Sequence, residues 1–249
     1  MSAAHDQPEG PPVVAVLGMH RSGTSWLAGT LSEAGLSLGE VDEHNYWNQR
    51  GNREMSAIVS LHDRVLSDSG GAWHDPPARV LWRDDTIAEL DRIIAAMDAA
   101  GETWGFKDPR TVLMLDMWRQ RLGGRLRPVG IYRHPGAVAL SLARRRAPRF
   151  PRVARRAPVV ARRWALGLWC IHNEALSAEH RRSTFPLLRF DGDLDRLFEG
   201  AAALCRDLGL RSPDAVRDFH DGALVTNDRR DRPVPRRCRP VWDYLVAQT

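Results

Sequence analysis

The sequence predicts an α/β protein of three layers, in which a mainly parallel central sheet is covered by helices on both faces. Short apolar, β-branched runs alternate along the chain with longer segments whose apolar residues recur at helical spacing. This alternation is typical of β-α-β units, whose strands run parallel. A chain of 249 residues can bury one continuous core around such a sheet. We therefore expect a polar tail over 1–12 and a single domain over 13–249.

Four short segments are predicted as strands because they are apolar, contain branched or aromatic residues and end at Gly, Pro or polar residues. They are "VVAVLG" (13–18), "TWGF" (103–106), "RPVGIY" (127–132) and "FPLLRF" (185–190). In a parallel sheet ligands bind where the strands end. The residues that follow these four runs are therefore the first candidates for a site.

Amphipathic spacing predicts helices between and after the strands. They cover 24–36, 54–66, 84–100, 111–122, 136–145, 159–180 and 191–210. Asp191 or Asp193 is suited to the N-terminus of the last of these helices. The segment 37–52 is predicted as an irregular loop, and the tail closes with "VWDYLVA".

The composition argues against several classes of protein. No apolar run near the N-terminus resembles a secretory signal, and no segment approaches the ~20 apolar residues that span a bilayer. These features predict a soluble cytoplasmic protein. Cys170, Cys205 and Cys238 are far apart and in no CxxC spacing, which supports neither a disulfide framework nor a zinc site. We expect three ordinary, unlinked thiols.

The net charge of +5 is concentrated in one stretch, because residues 143–164 contain nine arginines and no acidic residue. An anionic small molecule, a membrane surface or nucleic acid can use such a patch, and the alternative is a solvated surface loop. Pro148, Pro151 and Pro158 prevent one continuous recognition helix. We therefore expect an Arg-rich loop over about 143–163 and no nucleic acid partner, and peripheral contact with anionic surfaces stays open.

The segment "GMHRSGTS" (18–25) lies where a phosphate-binding loop belongs, between the first strand and the first helix. Gly18 and Gly23 allow turns that bring backbone N–H groups onto an anion. The nucleotide pattern GxxxxGK[ST] has a lysine where this chain has Thr24, whereas Arg21 offers a planar guanidinium. The loop is therefore predicted to bind an anion other than ATP with magnesium.

A second anion site is predicted in "YRHPGAVALS" (132–141). Arg133 stands at the end of an apolar run, and Ser141 follows about two helical turns later. An arginine at a strand end and a serine on the next helix can bracket one phosphate. Together with the first loop, this pattern fits a nucleotide that carries phosphates at both ends.

Four segments in this order resemble the PAPS-dependent sulfotransferase family, in the branch of bacterial and Golgi-type enzymes whose first motif carries arginine. They are "GMHRSGTSWLAGTL", "WGFKDPRTVL", "YRHPGAVALSLARR" and "LLRFDGDL". PAPS is 3′-phosphoadenosine 5′-phosphosulfate. The resemblance implies a fold like that of P-loop nucleoside triphosphate hydrolases. It also implies transfer of a sulfuryl group to a hydroxyl or amine of a small-molecule, sugar or lipid acceptor.

The resemblance further implies which residues hold PAPS. Arg133 and Ser141 would bind the 3′-phosphate, and Arg229 and Arg230 resemble a late basic pair that closes over the nucleotide. The residues that would hold the 5′-phosphosulfate are consecutive: Arg21, Ser22, Gly23, Thr24, Ser25 and Trp26.

Two histidines lie beside these anion sites. His20 belongs to the first loop and His134 follows Arg133. An adjacent anion favours the protonated imidazole. We therefore expect both side chains to be protonated ligand contacts and not bases.

Sulfuryl transfer needs a cradle for the leaving 5′-phosphate, positive charge near the transferring group and a base for the acceptor's proton. Arg21 and the N-terminus of the first helix meet the first need. Lys107 is the only lysine beside 35 arginines, and a compact ammonium fits a crowded site that rejects a guanidinium. We predict that Lys107 supplies the charge. No metal is required, because a sulfuryl group is less charged than a phosphoryl group.

The sequence leaves open which residue is the general base that accepts the acceptor's proton. Many cytosolic sulfotransferases have a histidine just after the corresponding lysine, and "KDPR" has none. Glu54 is the first choice, because it resembles the glutamate that other branches place early after the phosphate loop. Asp108 is the second, with the alternative that it pairs with Arg110 or caps the helix that begins at Thr111. His44 is the third.

The acceptor is not readable from the sequence. Tyr46 and Trp47 can stack on a sugar or aromatic ring, and Trp164 and Trp169 either line the same cleft or belong to the core. Two other functions stay open besides sulfuryl transfer. One is an ATP-dependent kinase with an altered phosphate loop, and the other is a non-catalytic nucleotide-binding module.

Overall fold

The centre of the protein is a sheet of four parallel strands. The structure is a computed structural model and describes residues 10–41, 51–144, 158–190, 193–211 and 233–249. The strands are β1 (Val13–Leu17), β2 (Trp104–Lys107), β3 (Leu126–Tyr132) and β4 (Leu187–Arg189). They lie in the order β2-β1-β3-β4, and each neighbouring pair is parallel. The predicted parallel sheet is confirmed, and each predicted strand corresponds to one of these four.

Helices cover both faces of the sheet. Those in the described ranges are α1 (Thr24–Glu33), α2 (Ser56–Asp68), α3 (Asp84–Asp98), α4 (Leu115–Leu122), α5 (Pro135–Arg144), α6 (Pro158–Arg182), α7 (Leu194–Asp207) and α8 (Arg239–Val246). Alternate residues of a strand point to opposite faces. Val13, Ala15 and Leu17 of β1 accordingly pack with α2–α6 and α8. Val14 and Val16 pack with α1 and α7 on the other face, and the predicted three layers are confirmed.

The predicted helices are present, with shifted ends. The helix predicted over 111–122 begins as a 3-10 turn at Thr111–Leu113, and α4 starts at Leu115. Of the two aspartates considered as a cap, Asp193 is the N-cap of α7. Its Oδ1 accepts hydrogen bonds from the N–H groups of Asp195 and Arg196, at 3.0 and 3.2 Å. Within the described ranges, no helix combines the length and the apolar character needed to cross a membrane.

The Arg-rich stretch is helical at both ends. Helix α5 extends to Arg144, and α6 begins at Pro158. Proline is favourable at the start of a helix, because its missing N–H has no intrahelical partner there. The prediction of a loop over 143–163 is therefore wrong at both ends, which are helical. Residues 145–157 lie outside the described ranges.

The cysteines are free and buried. Cys205 belongs to the core between the sheet and helices α1 and α7. Cys170 and Cys238 lie in the core on the other face, where their Sγ atoms are 3.0 Å apart. Folding brings Cys170 and Cys238 together although they are 68 residues apart in the sequence.

The carboxyl ends of all four strands meet at one edge of the sheet, since the strands are parallel. The residues that directly follow the strands are Gly18, Asp108, Arg133 and Phe190. Three of the four belong to the segments from which the sequence predicts a ligand site. The candidate site is therefore built at this edge.

Candidate active site

The loop after β1 packs tightly against the neighbouring strand ends. Gly18 has φ +150°, and a Cβ there would lie 2.3 Å from the carbonyl oxygen of Ile131. Gly23, the N-cap of α1, has φ +97°, and a Cβ there would lie 2.4 Å from the Phe190 ring. Neither position accepts a side chain. The loop can therefore present its backbone N–H groups and the N-terminus of α1 to an anion.

Arg21 connects the two predicted anion sites. Its Nε donates a hydrogen bond to Oγ of Ser141 on α5, at 2.9 Å. Arg21 has φ 71°, and Arg53, which precedes Glu54, has φ 55°. Such left-handed conformations are costly for residues with a Cβ and concentrate at functional sites. Among the described residues these are the two non-glycine cases, and both adjoin predicted site residues.

The other predicted residues of the first loop are mostly buried. The hydroxyl of Ser22 is fully buried, with no hydrogen-bond partner among the described residues. Thr24 and Trp26 are also buried. Ser25 donates a hydrogen bond from Oγ to the carbonyl oxygen of Asn52, at 3.2 Å. Ser25 thus attaches the start of α1 to the segment that carries Glu54.

Arg133 is held at the end of β3 by its surroundings on two sides. Its carbonyl oxygen accepts a hydrogen bond from Nε1 of Trp169, at 3.0 Å. Its guanidinium carbon lies 5.4 Å from the ring centroid of Phe190. Trp169 is fully buried, so of its two predicted roles the core role is the one observed. It also fixes the backbone that carries Arg133.

Phe190 is a candidate site residue that the sequence reasoning missed. Its ring lies between the two anion segments, because it contacts the guanidinium of Arg133 and lies 5.9 Å from the ring of Trp26. The available signal was its position directly after a strand in "LLRF". The strand predicted over 185–190 includes Phe190, whereas β4 ends at Arg189.

Lys107 and Glu54 form an ion pair at the end of β2. Nζ of Lys107 donates to Oε1 of Glu54 at 2.5 Å. The lysine side chain is 2% exposed and the glutamate side chain 17%. Burial lowers the pKa of Lys107, and the attraction and hydrogen bond of Glu54 partly oppose this shift. The fold therefore joins the predicted positive group and the first-choice base, although they are 53 residues apart.

Asp108 belongs to a different cluster, which is closed to solvent. Its Oδ2 lies 2.8 Å from Nδ1 of His62, and its Oδ1 accepts from Nη1 and the backbone N–H of Arg110 at 2.8 and 3.0 Å. Burial alone would raise the pKa of Asp108, but Arg110 and His62 outweigh it and hold the pKa below its ordinary range. This geometry favours the structural alternative, pairing with Arg110, over a role as base.

The two histidines beside the anion sites differ in their surroundings. Burial lowers the pKa of His20 well below 6.5, and the nearby charge of Arg110 adds to this shift. The ring of His20 lies 4.3 Å from that of Trp73. Nδ1 of His134 accepts a hydrogen bond from the N–H of Gly136 at 3.1 Å, so this nitrogen carries no proton. Both stay predicted ligand contacts.

Several predicted residues lie outside the described ranges. They are His44, Tyr46, Trp47, Arg229 and Arg230. Trp164 is described, and its Nε1 donates to the carbonyl oxygen of His74 at 3.2 Å.

Comparison with solved structures places the fold among sulfotransferase domains. The sulfotransferase domain of the Synechococcus PCC 7002 olefin synthase has a TM-score of 0.51 at 16% identity, over 98% of this chain and 91% of that one. The sulfotransferase domain from the curacin biosynthetic pathway has a TM-score of 0.57 at 13% identity, over 96% and 99%. No family model and no curated protein matches the chain. The resemblance inferred from the motifs is thus confirmed at the level of the fold.

Proposed function

We propose that this protein is a sulfotransferase that moves the sulfuryl group of PAPS to a hydroxyl or amine of a small-molecule, sugar or lipid acceptor. The products would be the sulfated acceptor and 3′,5′-diphosphoadenosine. The observation that carries the proposal is the hydrogen bond between Arg21 and Ser141. It brings the loop after β1 against the helix after β3, so the two predicted anion segments are adjacent, as a nucleotide with anionic groups at both ends requires.

The residues at this surface fit such a nucleotide. Arg21 and Arg133 supply two guanidinium groups, which bind phosphate oxygens in a bidentate manner. The buried hydroxyl of Ser22 has no partner among the described residues, and an unsatisfied buried hydroxyl is costly. A phosphate oxygen is a suitable partner for that hydroxyl. Gly18 and Gly23 let the loop pack against the carbonyl oxygen of Ile131 and the ring of Phe190, which holds it in this conformation.

The ion pair at the end of β2 supplies the remaining functions of the transfer. Bound PAPS supplies an activated sulfuryl group on a phosphate leaving group. The ammonium of Lys107 stabilises negative charge near that group, and its burial strengthens this interaction because the local dielectric constant is low. Glu54 receives the proton of the acceptor. Its contact with Lys107 uses Oε1, and a carboxylate has a second oxygen that can accept a proton.

Calorimetric titration with 3′,5′-diphosphoadenosine, with ATP and magnesium in parallel, tests the proposal. We expect metal-independent binding of the diphosphate, lost in Arg133→Ala and retained in the control Arg211→Ala. Arg211 is 77% exposed and pairs with Glu102 at 3.6 Å. Binding of ATP only with magnesium would favour the kinase alternative. Binding of the diphosphate without any transfer from PAPS across an acceptor panel would favour a non-catalytic module.

A further inference from the structure

A pair of thiols joins the C-terminal helix to the longest helix of the protein. Cys170 lies in α6, and Cys238 ends the 3-10 turn Arg236–Cys238 that leads into α8. Their Sγ atoms are 3.0 Å apart, and the two residues are 6% and 0% exposed. A disulfide has an S–S length of about 2.05 Å. A small inward movement of the two side chains would therefore bring the sulfurs into bonding distance.

The two thiols differ in their readiness to ionise. The hydrogen bond with Cys238 lowers the pKa of Cys170 to about 7, although burial opposes the shift. The pKa of Cys238 is raised, first by the same hydrogen bond and then by burial. Cys170 is thus the more readily ionised thiol of the pair, and the thiolate is the reactive form. Cys205 is a natural control, because it lies on the opposite face of the sheet and burial raises its pKa to about 11.

We propose that Cys170 and Cys238 form a reversible disulfide that ties the C-terminal helix α8 to α6. The oxidant is a hydroperoxide, which meets the pair at Cys170, the more exposed of the two residues. The Cys170 thiolate attacks a peroxide oxygen, so an S–O bond forms, the O–O bond breaks and, with hydrogen peroxide, one water leaves after protonation. The Cys238 sulfur then attacks the sulfenic sulfur, an S–S bond forms and a second water leaves. Two thiols lose two electrons and two protons, which the peroxide takes up.

This bond would brace the turn that carries Arg133 from both sides. Trp169, next to Cys170, donates its indole N–H to the carbonyl oxygen of Arg133 at 3.0 Å. Trp242 of α8 packs edge-on against the ring of His134, with the ring centroids 5.2 Å apart. Linking α6 to α8 would therefore hold the strand end in its observed form. We expect tighter binding of 3′,5′-diphosphoadenosine in the oxidised protein, a consequence that rests on the function proposed for Arg133.

The first test is chemical and does not depend on the proposed function. The full chain is reduced with dithiothreitol, freed of reductant, treated with hydrogen peroxide and digested without reduction for tandem mass spectrometry. We expect a peptide pair that links Cys170 to Cys238, a free thiol at Cys205 and full reversal by dithiothreitol. Cys205→Ser should form the same link, whereas Cys238→Ser should leave Cys170 as a sulfenic or sulfinic acid. Two unlinked thiols, or a link to Cys205, would overturn the proposal.

The second test separates the bond from its effect on the site. The disulfide should raise Tm by about 5 °C or more, because it closes a long loop. It should also strengthen binding of 3′,5′-diphosphoadenosine by about two-fold or more. A linked protein with unchanged affinity would overturn the connection to Arg133 and leave the disulfide standing. Failure of both forms to bind the diphosphate would count against the proposed function, and the mass spectrum would still decide the disulfide.

Discussion

Two adjacent residues at the end of β2 belong to charge clusters of different kinds. Lys107 pairs with Glu54, whose side chain is 17% exposed, and we call these two residues the open pair. Asp108 belongs to a closed network with His62 and Arg110, and Asp63, whose side chain is 41% exposed, pairs with Arg110 at the edge of this network. Neighbouring residues of one motif thus have different roles, because alternate side chains at a strand end face different surroundings.

The polar groups of the closed network have hydrogen-bond partners within the protein. Nε2 of His62 accepts a hydrogen bond from Nε1 of Trp118 at 3.0 Å, so its Nδ1 carries the proton that it donates to Asp108. Nε of Arg110 donates to Oδ1 of Asp63 at 2.7 Å. Such a network can hold the strand end in place, and the carboxylate of Asp108 is too buried to exchange a proton with a substrate. The open pair keeps that capacity, because its carboxylate is accessible.

The largest effect is expected from Glu54→Gln, which removes the base and keeps the shape of the side chain. We expect the rate of transfer from PAPS to fall by about 10² to 10⁴-fold, with little change in nucleotide affinity. Steady-state kinetics with an acceptor found by screening measures the rate, and Glu102→Gln at an exposed site is the control. If the rate stays within about three-fold of wild type, which is far less than the loss expected for a general base, Glu54 is not the base.

Lys107→Arg is expected to reduce the rate of transfer by about 10² to 10³-fold. A guanidinium is broader than an ammonium and does not fit a position that is 2% exposed. Nucleotide affinity, measured by calorimetry, should fall only modestly, because Arg21 and Arg133 stay in place. Arg162→Lys on the exposed surface of α6 controls for the exchange of the two residue types. Full activity in Lys107→Arg would contradict the argument from the lone lysine.

Asp108→Asn should affect stability more than Glu54→Gln does. Removing one partner of a buried ion pair leaves the charge of Arg110 partly uncompensated, which costs about 3 kcal/mol of unfolding free energy. Urea denaturation measures this loss, and Asp91→Asn in an exposed pair with Arg121 should cause little change. If Asp108→Asn folds as stably as wild type and has lost transfer activity, the closed network is catalytic and the comparison fails.

The same network should make stability sensitive to acid. The pKa of Asp108 is held below its ordinary value, which is about 3.9 in an unfolded chain. The unfolded state therefore binds the proton more tightly, so this contribution to stability is complete above about pH 4 and is lost as pH falls through the folded-state pKa. Unfolding curves measured between about pH 6 and about pH 2 cover this transition. The free energy of unfolding should fall more steeply with falling pH in wild type than in Asp108→Asn. Parallel curves would contradict this assignment.

The smallest effect is expected at Phe190, which belongs to neither cluster. Its ring contacts the guanidinium of Arg133, and such contacts contribute about 0.5–1 kcal/mol. Phe190→Leu should therefore weaken binding of 3′,5′-diphosphoadenosine by about two- to five-fold. Phe198→Leu, in the core on the same face of the sheet, is the matched control. An unchanged affinity in Phe190→Leu would show that the ring only fills space.

The sequence was informative wherever local rules apply. Strand ends and helix starts follow from periodicity and caps, so the loop after β1, Lys107 and Arg133 were located correctly at one edge of a parallel sheet. The surroundings of His20 and His134 could not be predicted, because burial and a backbone hydrogen bond determine them. Burial and long-range partners are not visible in a linear pattern.

The sequence by itself determined the features that depend on neighbouring residues. They are the alternation of strands and helices, the glycines of the first loop and the absence of a lysine at position 24, where Thr24 stands. Only the tertiary structure decided that Glu54 lies 2.5 Å from Lys107 and that Asp108 pairs with His62. It also decided that Cys170 lies beside Cys238. These partners are 46 to 68 residues apart, and their contacts depend on how the layers pack around the sheet.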